Sequence, residues 1–163
     1  MVPPAPTFRL RTVVNGRPVD VTIPTQTLLI DFLRDTLGLT GTKLGCAVGI
    51  CGVCSVIVDD ELGSACLLFA AAVHDRAVTT IEGIADADGT LSPVQRAFLA
   101  HGGFQCGICT PGQVLAATAL LSEVAAPDEP AIRDWMTGNL CRCTGYEGIV
   151  ESVRAAAADT GSA

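Results

Sequence analysis

The residues of this 163-residue sequence best suited to chemistry are its eight cysteines. In the glycine-rich stretch GCAVGICGVC, four residues separate Cys46 from Cys51, and two separate Cys51 from Cys54. This spacing, followed by a more distant cysteine, binds a [2Fe-2S] cluster in plant-type ferredoxins. Cys66 is the cysteine that belongs to no other group, so we expect it to be the fourth ligand. Glycines in this loop allow tight bends that aim backbone amides at sulfur.

A second set of cysteines forms two close pairs farther along the chain. Cys106 and Cys109 lie in FQCGICTPG, and Cys141 and Cys143 lie in GNLCRCTGY. Four thiolates can hold a second iron-sulfur cluster, but two close pairs also resemble a structural zinc site. A redox-active disulfide within CGIC is a further alternative, although it would leave Cys141 and Cys143 without a role. Zinc is an alternative for the first set too, but the four-residue gap there favours the cluster.

Two of these cysteines precede sequences that predict helix starts. TPGQ after Cys109 and TGYE after Cys143 match the capping box, with Thr110 or Thr144 as the cap. Backbone amides at a helix N-terminus point outward and favour negative charge. We therefore expect the two helix ends to favour the reduced form of a cluster. The expected increase in reduction potential is modest, since such effects are about 1 kcal/mol per helix end.

The composition excludes several classes of function. The formal net charge is −7 and 4% of the residues are aromatic. This argues against a nucleic-acid partner, which requires basic patches and stacking platforms. No apolar run has the length of a membrane span. The first residues, MVPPAPTFRLR, lack an export signal, so we expect a cytoplasmic protein whose thiols serve metals or chemistry rather than disulfides.

Hydrophobic periodicity predicts a small α+β unit at the start of the chain. The segments FRLRTVV and VDVTI flank Asn15-Gly16, a dipeptide that favours a two-residue hairpin turn. TLLIDFLRDTLGL has apolar residues at helical spacing and predicts a helix with a threonine cap that ends at Gly38. After the cysteine loop, SVIVDD and AVTTIEGI predict strands that pack around this helix.

The later part of the chain predicts helices. SPVQ, TPGQ, TGYE and the segment EPAIRDWMTG indicate four of them, which suggests a small bundle. The polar stretch ADADGT before them is typical of a linker. We therefore predict five segments: a flexible N-terminus at 1–6, an α+β domain at 7–84, a linker at 85–91, a helical domain at 92–158 and a flexible C-terminus at 159–163.

Three motifs together give the chain a family resemblance. GTKLGCAVGICGVCSV, FQCGICTPG and GNLCRCTGY, in this order, closely resemble the iron-sulfur subunit of the molybdenum hydroxylases, the family of xanthine dehydrogenase and aldehyde oxidase. The resemblance covers nearly the whole chain. Val53 and Ser55 stand where alanine and threonine are commoner, and Asp59 and Asp60 replace an Asp-Gly turn. None of these departures changes a predicted ligand.

The resemblance implies a fold and two sets of ligands. The fold class is α+β, with an N-terminal β-grasp, plant-type ferredoxin-like domain followed by an all-α four-helix-bundle domain, and each domain holds one [2Fe-2S] cluster. Gln105 and Cys143 match the residues that the family places beside a pterin. The ligands of the first cluster are Cys46, Cys51, Cys54 and Cys66, and those of the second, nearer to molybdenum, are Cys106, Cys109, Cys141 and Cys143.

The resemblance also implies partner subunits. A large subunit carries the molybdenum-pterin cofactor, in its cytosine dinucleotide form or a close relative, and hydroxylates an aromatic heterocycle or an aldehyde with oxygen from water. Electrons then pass through the two clusters to FAD on a medium subunit. Such complexes are heterotrimers or dimers of heterotrimers. The sequence has no glycine-rich dinucleotide loop and no set of base, nucleophile and oxyanion donors, which agrees with a chain that is not catalytic alone.

Two other functions are compatible with the residues alone. A free-standing ferredoxin-like carrier would be a monomer with ordinary surface polarity, whereas the apolar segment GQVLAATALLSEV suits burial in a bundle or against a partner. A zinc-stabilised interaction module would be colourless. The substrate and the final electron acceptor leave no recognisable signature in this chain.

Overall fold

A mixed sheet forms the first half of the protein. The computed structural model describes residues 5–160, and within them five strands form one sheet with the order β2-β1-β5-β3-β4. The strands β1 and β5 pair in parallel, and the other neighbours pair antiparallel. The strands are β1 (Thr7–Val14), β2 (Arg17–Pro24), β3 (Ser55–Val58), β4 (Glu61–Ser64) and β5 (Ala77–Thr79).

The predicted hairpin is confirmed. Alternation along β1 buries Leu10, Thr12 and Val14 on the face that meets the core. The chain then reverses through Asn15 and Gly16, whose φ angles are 51° and 73°. Both residues thus lie in the left-handed region, which matches the twist of the flanking strands. The Asn-Gly dipeptide therefore sets the register of β1 against β2.

The helix of the α+β domain is shorter and less regular than the sequence predicts. It begins as α1 (Leu29–Asp31) and continues as a π-helical segment (Phe32–Thr36). Its N-cap is Leu28, which makes no side-chain capping bond, so the predicted threonine cap is wrong. Burial explains why the helix forms without a cap. Four side chains enter the core of the α+β domain: Leu29, Ile30, Phe32 and Leu33.

Four further helices form the second half, as the sequence predicts. Ser92 caps α2 in the expected capping box with Gln95, and Asp128 caps α4. The last helix, α5, reaches Thr160, past residue 158 where the helical domain was predicted to end. Of the predicted flexible ends, 1–4 and 161–163 lie outside the described residues. The helices are α2 (Pro93–Ala100), α3 (Thr110–Glu123), α4 (Glu129–Met136) and α5 (Glu147–Thr160).

Two other predicted capping boxes are wrong. Helix α3 has Cys109 at its N-cap position and no side-chain capping bond, and the hydroxyl of Thr110 is buried without a partner. Helix α5 begins only at Glu147, and the hydroxyl of Thr144 instead donates to the sulfur of Cys141. Short polar side chains readily make such local bonds in competition with capping. The cysteine loops therefore lie before the helices rather than at capped ends.

The two halves pack directly on each other. Leu62 from β4 and Ile81 and Ile84 from the connecting segment pack against the core of the helical domain. Helix α3 is apolar nearly all round, as predicted, and it contacts β3 and β4 as well as the other helices. The helical core is otherwise built from side chains such as Phe98, Ile132 and Ile149. Within residues 5–160, no helix is long and apolar enough to cross a bilayer.

Candidate metal sites

The first cysteine loop directs backbone amides at one sulfur. The sulfur of Cys46 accepts hydrogen bonds from the amides of Val48 at 3.5 Å, Ile50 at 3.4 Å and Cys51 at 3.4 Å. These donors, with the Val48 amide first, lower the pKa of the Cys46 thiol to about 6. The loop can curl in this way because Ala47, Gly49 and Gly52 have positive φ angles. The result is a preformed site for an anionic sulfur.

The other two predicted ligands of the first set are buried. Cys54 directly precedes β3, and Cys66 follows β4. Cys54 is 2% exposed and Cys66 is 4% exposed. Burial raises the pKa of the Cys54 thiol to about 11. Cys66 is a hydrogen-bond partner of Cys54, and Cys51 is a hydrogen-bond partner of Cys46, with its amide 3.4 Å from the Cys46 sulfur. The four residues are thus arranged as two pairs.

The second set shows the same arrangement, although its cysteines come from distant loops. The sulfurs of Cys106 and Cys143 lie 3.6 Å apart, and Cys109 and Cys141 are hydrogen-bond partners. The Ile108 amide and then the Cys143 thiol lower the pKa of Cys106. The bond with Cys106 raises the pKa of Cys143, and burial raises the pKa of Cys109 to about 12.

The loop between Cys141 and α5 is closed by two residues whose roles the sequence does not indicate. The hydroxyl of Thr144 donates to the Cys141 sulfur at 3.1 Å, and the hydroxyl of Tyr146 accepts from the Cys141 amide at 2.9 Å. Burial opposes ionisation of Cys141, but bonds from Thr144 outweigh it, so the pKa of this thiol is lowered. Tyr146 has a φ of 71°, a strained value for a bulky residue. The nearest sequence signal is its place in CTGY.

The residues present fit two [2Fe-2S] clusters. In such a cluster each iron binds two thiolates, and each set contains two pairs of cysteines that are hydrogen-bond partners. Within residues 5–160, no group of three or more His, Cys, Asp or Glu side chains is arranged for a single ion. None of the eight cysteines, all within the described residues, forms a disulfide.

The two residues predicted to lie near a pterin are found at one exposed edge of the second set. Gln105 is exposed, and its neighbour Cys106 touches Cys143, which is also exposed. Ile108 in the same loop is 54% exposed. The structure therefore brings Gln105 and Cys143 to one surface, although they are far apart in sequence.

The two cysteine loops are joined to each other, which the sequence does not predict. The amide of Leu140 donates to the carbonyl of Cys51 at 2.9 Å. The side chain of Asn139 donates to the carbonyl of Gly52 at 2.9 Å. One backbone hydrogen bond thus links a cysteine of the first set to the residue directly before Cys141 of the second.

Two protein-family models match this chain, one for each half. A model described as the 2Fe-2S iron-sulfur cluster binding domain matches residues 12–77, and one described as the [2Fe-2S] binding domain matches residues 80–154. The first match contains the first cysteine set, and the second contains the other. Each half is therefore a [2Fe-2S]-binding domain.

The matches to several known proteins cover nearly the whole chain. The nicotine 6-hydroxylase small subunit of Paenarthrobacter nicotinovorans is 42% identical over 94% of this chain and 93% of its own length. The nicotinate dehydrogenase small FeS subunit of Eubacterium barkeri is 41% identical over 86% and 89%. The solved structure of quinoline 2-oxidoreductase from Pseudomonas putida 86 contains a chain with a TM-score of 0.91 and 36% identity, covering 96% of this chain and 97% of that one.

These similarities establish the class of the protein. The chain belongs to the family of small iron-sulfur subunits of the molybdenum hydroxylases. It has an electron-transfer role as a non-catalytic subunit of an oxidoreductase. In some relatives the matched region is part of a much longer chain. The predicted ferredoxin-like domain followed by a helical domain is confirmed.

Proposed function

We propose that this chain carries electrons between two partner subunits of a molybdenum hydroxylase through two [2Fe-2S] clusters. A [2Fe-2S] cluster supplies a centre that gains and loses one electron at a time. The observation that carries the proposal is the pairing of all eight cysteines into two sites that a hydrogen bond from Leu140 to Cys51 connects. The proposed ligands are Cys46, Cys51, Cys54 and Cys66 in the first site and Cys106, Cys109, Cys141 and Cys143 in the second.

Each site has residues suited to a different partner. Gln105 and Cys143 at the exposed edge of the second site would lie beside the molybdenum-pterin cofactor, in its cytosine dinucleotide form, on a large subunit. The first site has apolar side chains around its loop, with Ile50 at 65% and Leu67 at 57% exposed. Exposed apolar side chains of this kind are typical of a surface covered by another protein. We assign this side to a medium subunit that carries FAD.

The proposed assembly is a cytoplasmic heterotrimer or a dimer of heterotrimers. Its large subunit would hydroxylate an aromatic heterocycle or an aldehyde with oxygen from water. Relatives named for nicotine and quinoline support the heterocycle, and relatives named as aldehyde oxidoreductases support the aldehyde. Residues of this chain do not select between the two substrates, because none of them forms a substrate pocket in the proposed assembly.

The experiment that tests this function is the metal content of the assembly that co-purifies with the chain from its own host. We expect about four irons per chain, because each four-cysteine site holds a two-iron cluster. We also expect about one molybdenum per heterotrimer, since the metal performs the hydroxylation. Iron without molybdenum would instead support a free-standing carrier, and zinc in place of iron would support an interaction module.

Two matched variants test the ligands of the two sites independently. Cys54→Ser removes a proposed ligand of the first site, and Cys109→Ser removes one of the second. Each variant is expected to lose about half of the iron, because the sites are built from different loops. Electron paramagnetic resonance of the reduced protein should then show one of the two cluster signals. Retention of both signals in either variant would contradict the ligand assignment.

A further inference from the structure

A buried polar contact holds the two cysteine loops together, and we call Asn139, Gly52 and Ser55 the clasp. Asn139 is 2% exposed and Ser55 is 5% exposed. The Asn139 Nδ2 donates to the Gly52 carbonyl at 2.9 Å and to the Ser55 Oγ at 3.1 Å. The Ser55 hydroxyl donates to the same carbonyl at 2.8 Å. Buried polar groups need hydrogen-bond partners, so the clasp is a specific contact.

The clasp lies beside the backbone bond that connects the two sites. Gly52 directly follows Cys51, and Asn139 directly precedes Leu140, so the clasp residues are the chain neighbours of the Leu140 amide and the Cys51 carbonyl. The clasp and this backbone bond are therefore two adjacent contacts between the loops. Loss of the clasp would remove one of the contacts that position the bond between Leu140 and Cys51.

Neighbouring atoms leave the clasp little freedom. Gly52 has a φ of 65°, and a Cβ at this position would overlap the carbonyl of Gly138 and the side-chain amide of Asn139. A Cβ on Gly112 at the start of α3 would overlap the Gly52 carbonyl. From the other side, the fully buried side chain of Gln113 donates to the Asn139 carbonyl at 2.6 Å. The side chain and the backbone of Asn139 are thus both fixed.

We propose that Asn139 is a positioning residue that sets the separation of the two cluster sites by holding the Gly52 carbonyl, and with it the bond between Leu140 and Cys51. The inference rests on the proposed function, because the separation matters only if both sites carry clusters. Asn139 contributes no sulfur and is not a predicted ligand. Its effect reaches the sites through the two neighbouring loops.

The test compares two changes at Asn139 with a matched control, all in the assembled protein. Asn139→Asp keeps the shape of the side chain but replaces the amide donor by a carboxylate, and Asn139→Ala removes the side chain. The control is Trp135→Phe, because the Trp135 Nε1 donates to the Ala116 carbonyl at 2.9 Å inside the helical domain and to no residue of the clasp. Iron content, the magnetic splitting between the two reduced clusters and hydrogen exchange at the Leu140 amide are measured.

We expect both Asn139 variants to keep their iron while the splitting decreases, because dipolar coupling falls with the cube of distance. Protection of the Leu140 amide should fall about ten-fold, which corresponds to about 1.4 kcal/mol for an unmade bond to a buried carbonyl. Trp135→Phe should change neither the splitting nor the protection of the Leu140 amide. Unchanged splitting in either Asn139 variant overturns the proposal. Loss of iron from both Asn139 variants also overturns it, since the residue would then serve folding. An iron-free wild-type protein would refute the proposed function itself, and the exchange measurement would still report on the clasp.

Discussion

At the scale of residues, the surroundings of each cysteine decide its chemistry more than its place in the motif does. Cys46 and Cys54 belong to one proposed site, yet three amides face the sulfur of Cys46 while Cys54 is buried. The first environment favours a thiolate and the second a neutral thiol. Only a bound metal would bring both sulfurs to the same ionised state.

The contrast predicts selective alkylation of the iron-free chain. With a pKa of about 6, Cys46 should be roughly nine-tenths ionised at pH 7, and thiolates are the reactive form. Its reaction with iodoacetamide should therefore increase as the pH rises through 6 and level off above it. Cys54, with a pKa of about 11, should remain unmodified under the same conditions. Mass spectrometry of the labelled peptides measures both, and equal labelling at pH 7 would contradict the proposed loop geometry.

The cysteine sets themselves were predictable because ligand spacing is a local property of the sequence. Tyr146 and Asn139 were not, since each acts through a fold that brings separate segments together. The Tyr146 hydroxyl meets the Cys141 amide only after the loop has closed, and Asn139 meets Gly52 across the domain boundary. Neither residue type has a pattern that marks such a role.

At the scale of elements, the turn between β3 and β4 carries backbone strain. Asp59 and Asp60 have φ angles of 46° and 72°, in the left-handed region. Asp59 offsets its strain through its carboxylate, which accepts from Arg76 and from the Ala77 amide at 2.7 Å each. The arginine bond also lowers the pKa of Asp59. Asp60 is the position at which an Asp-Gly turn would have glycine.

Asp60→Gly is therefore expected to stabilise the chain by about 0.5–1 kcal/mol, because glycine adopts a positive φ without strain. Asp59→Gly is the matched control and should destabilise the chain, because it removes the hydrogen bonds from Arg76 and from the Ala77 amide. Thermal unfolding of the purified chain measures both changes. A higher melting temperature for Asp59→Gly than for Asp60→Gly would refute this account of the turn.

The helix caps show where local sequence rules hold and where they fail. Ser92 and Gln95 form the predicted box, with both of its reciprocal hydrogen bonds. Thr144 has the same pattern, but its hydroxyl bonds to the Cys141 sulfur, and α5 begins at Glu147. The inference that two capped helix ends raise a reduction potential loses one of its supports, because Cys143 lies four residues before the start of α5. The other support remains, because Cys109 lies at the N-cap position of α3.

Across the whole molecule, the backbones of the two domains come into direct contact at a glycine of α3. Gly112 in the first turn of α3 lies against the Gly52 carbonyl of the first cysteine loop. Glycine is normally unfavourable within a helix. Its presence here is explained by the close contact between the domains.

Gly112→Ala should accordingly destabilise the protein, although alanine is the better helix former by about 1 kcal/mol. The added Cβ forces the domains apart, and overpacking of this kind costs about 1–3 kcal/mol. Gly138→Ala is the control, since its Cβ would meet only the Trp135 carbonyl at 3.9 Å and its φ is not left-handed. Its effect should lie within about 0.5 kcal/mol. Urea unfolding distinguishes the two, and equal stabilities would show that the domains can separate freely.

The amino-acid sequence was enough to predict the two cysteine sets, the order of an α+β domain and a helical domain, and the family. These properties depend on the spacing of cysteines and on hydrophobic periodicity, which are local features of the sequence. The three-dimensional structure was needed to show that Cys106 meets Cys143 and that Asn139 and Leu140 meet the first cysteine loop. These contacts join residues 37 positions apart for Cys106 and Cys143, and 87 positions apart for Gly52 and Asn139. They form only when burial of the two cores has brought those residues together.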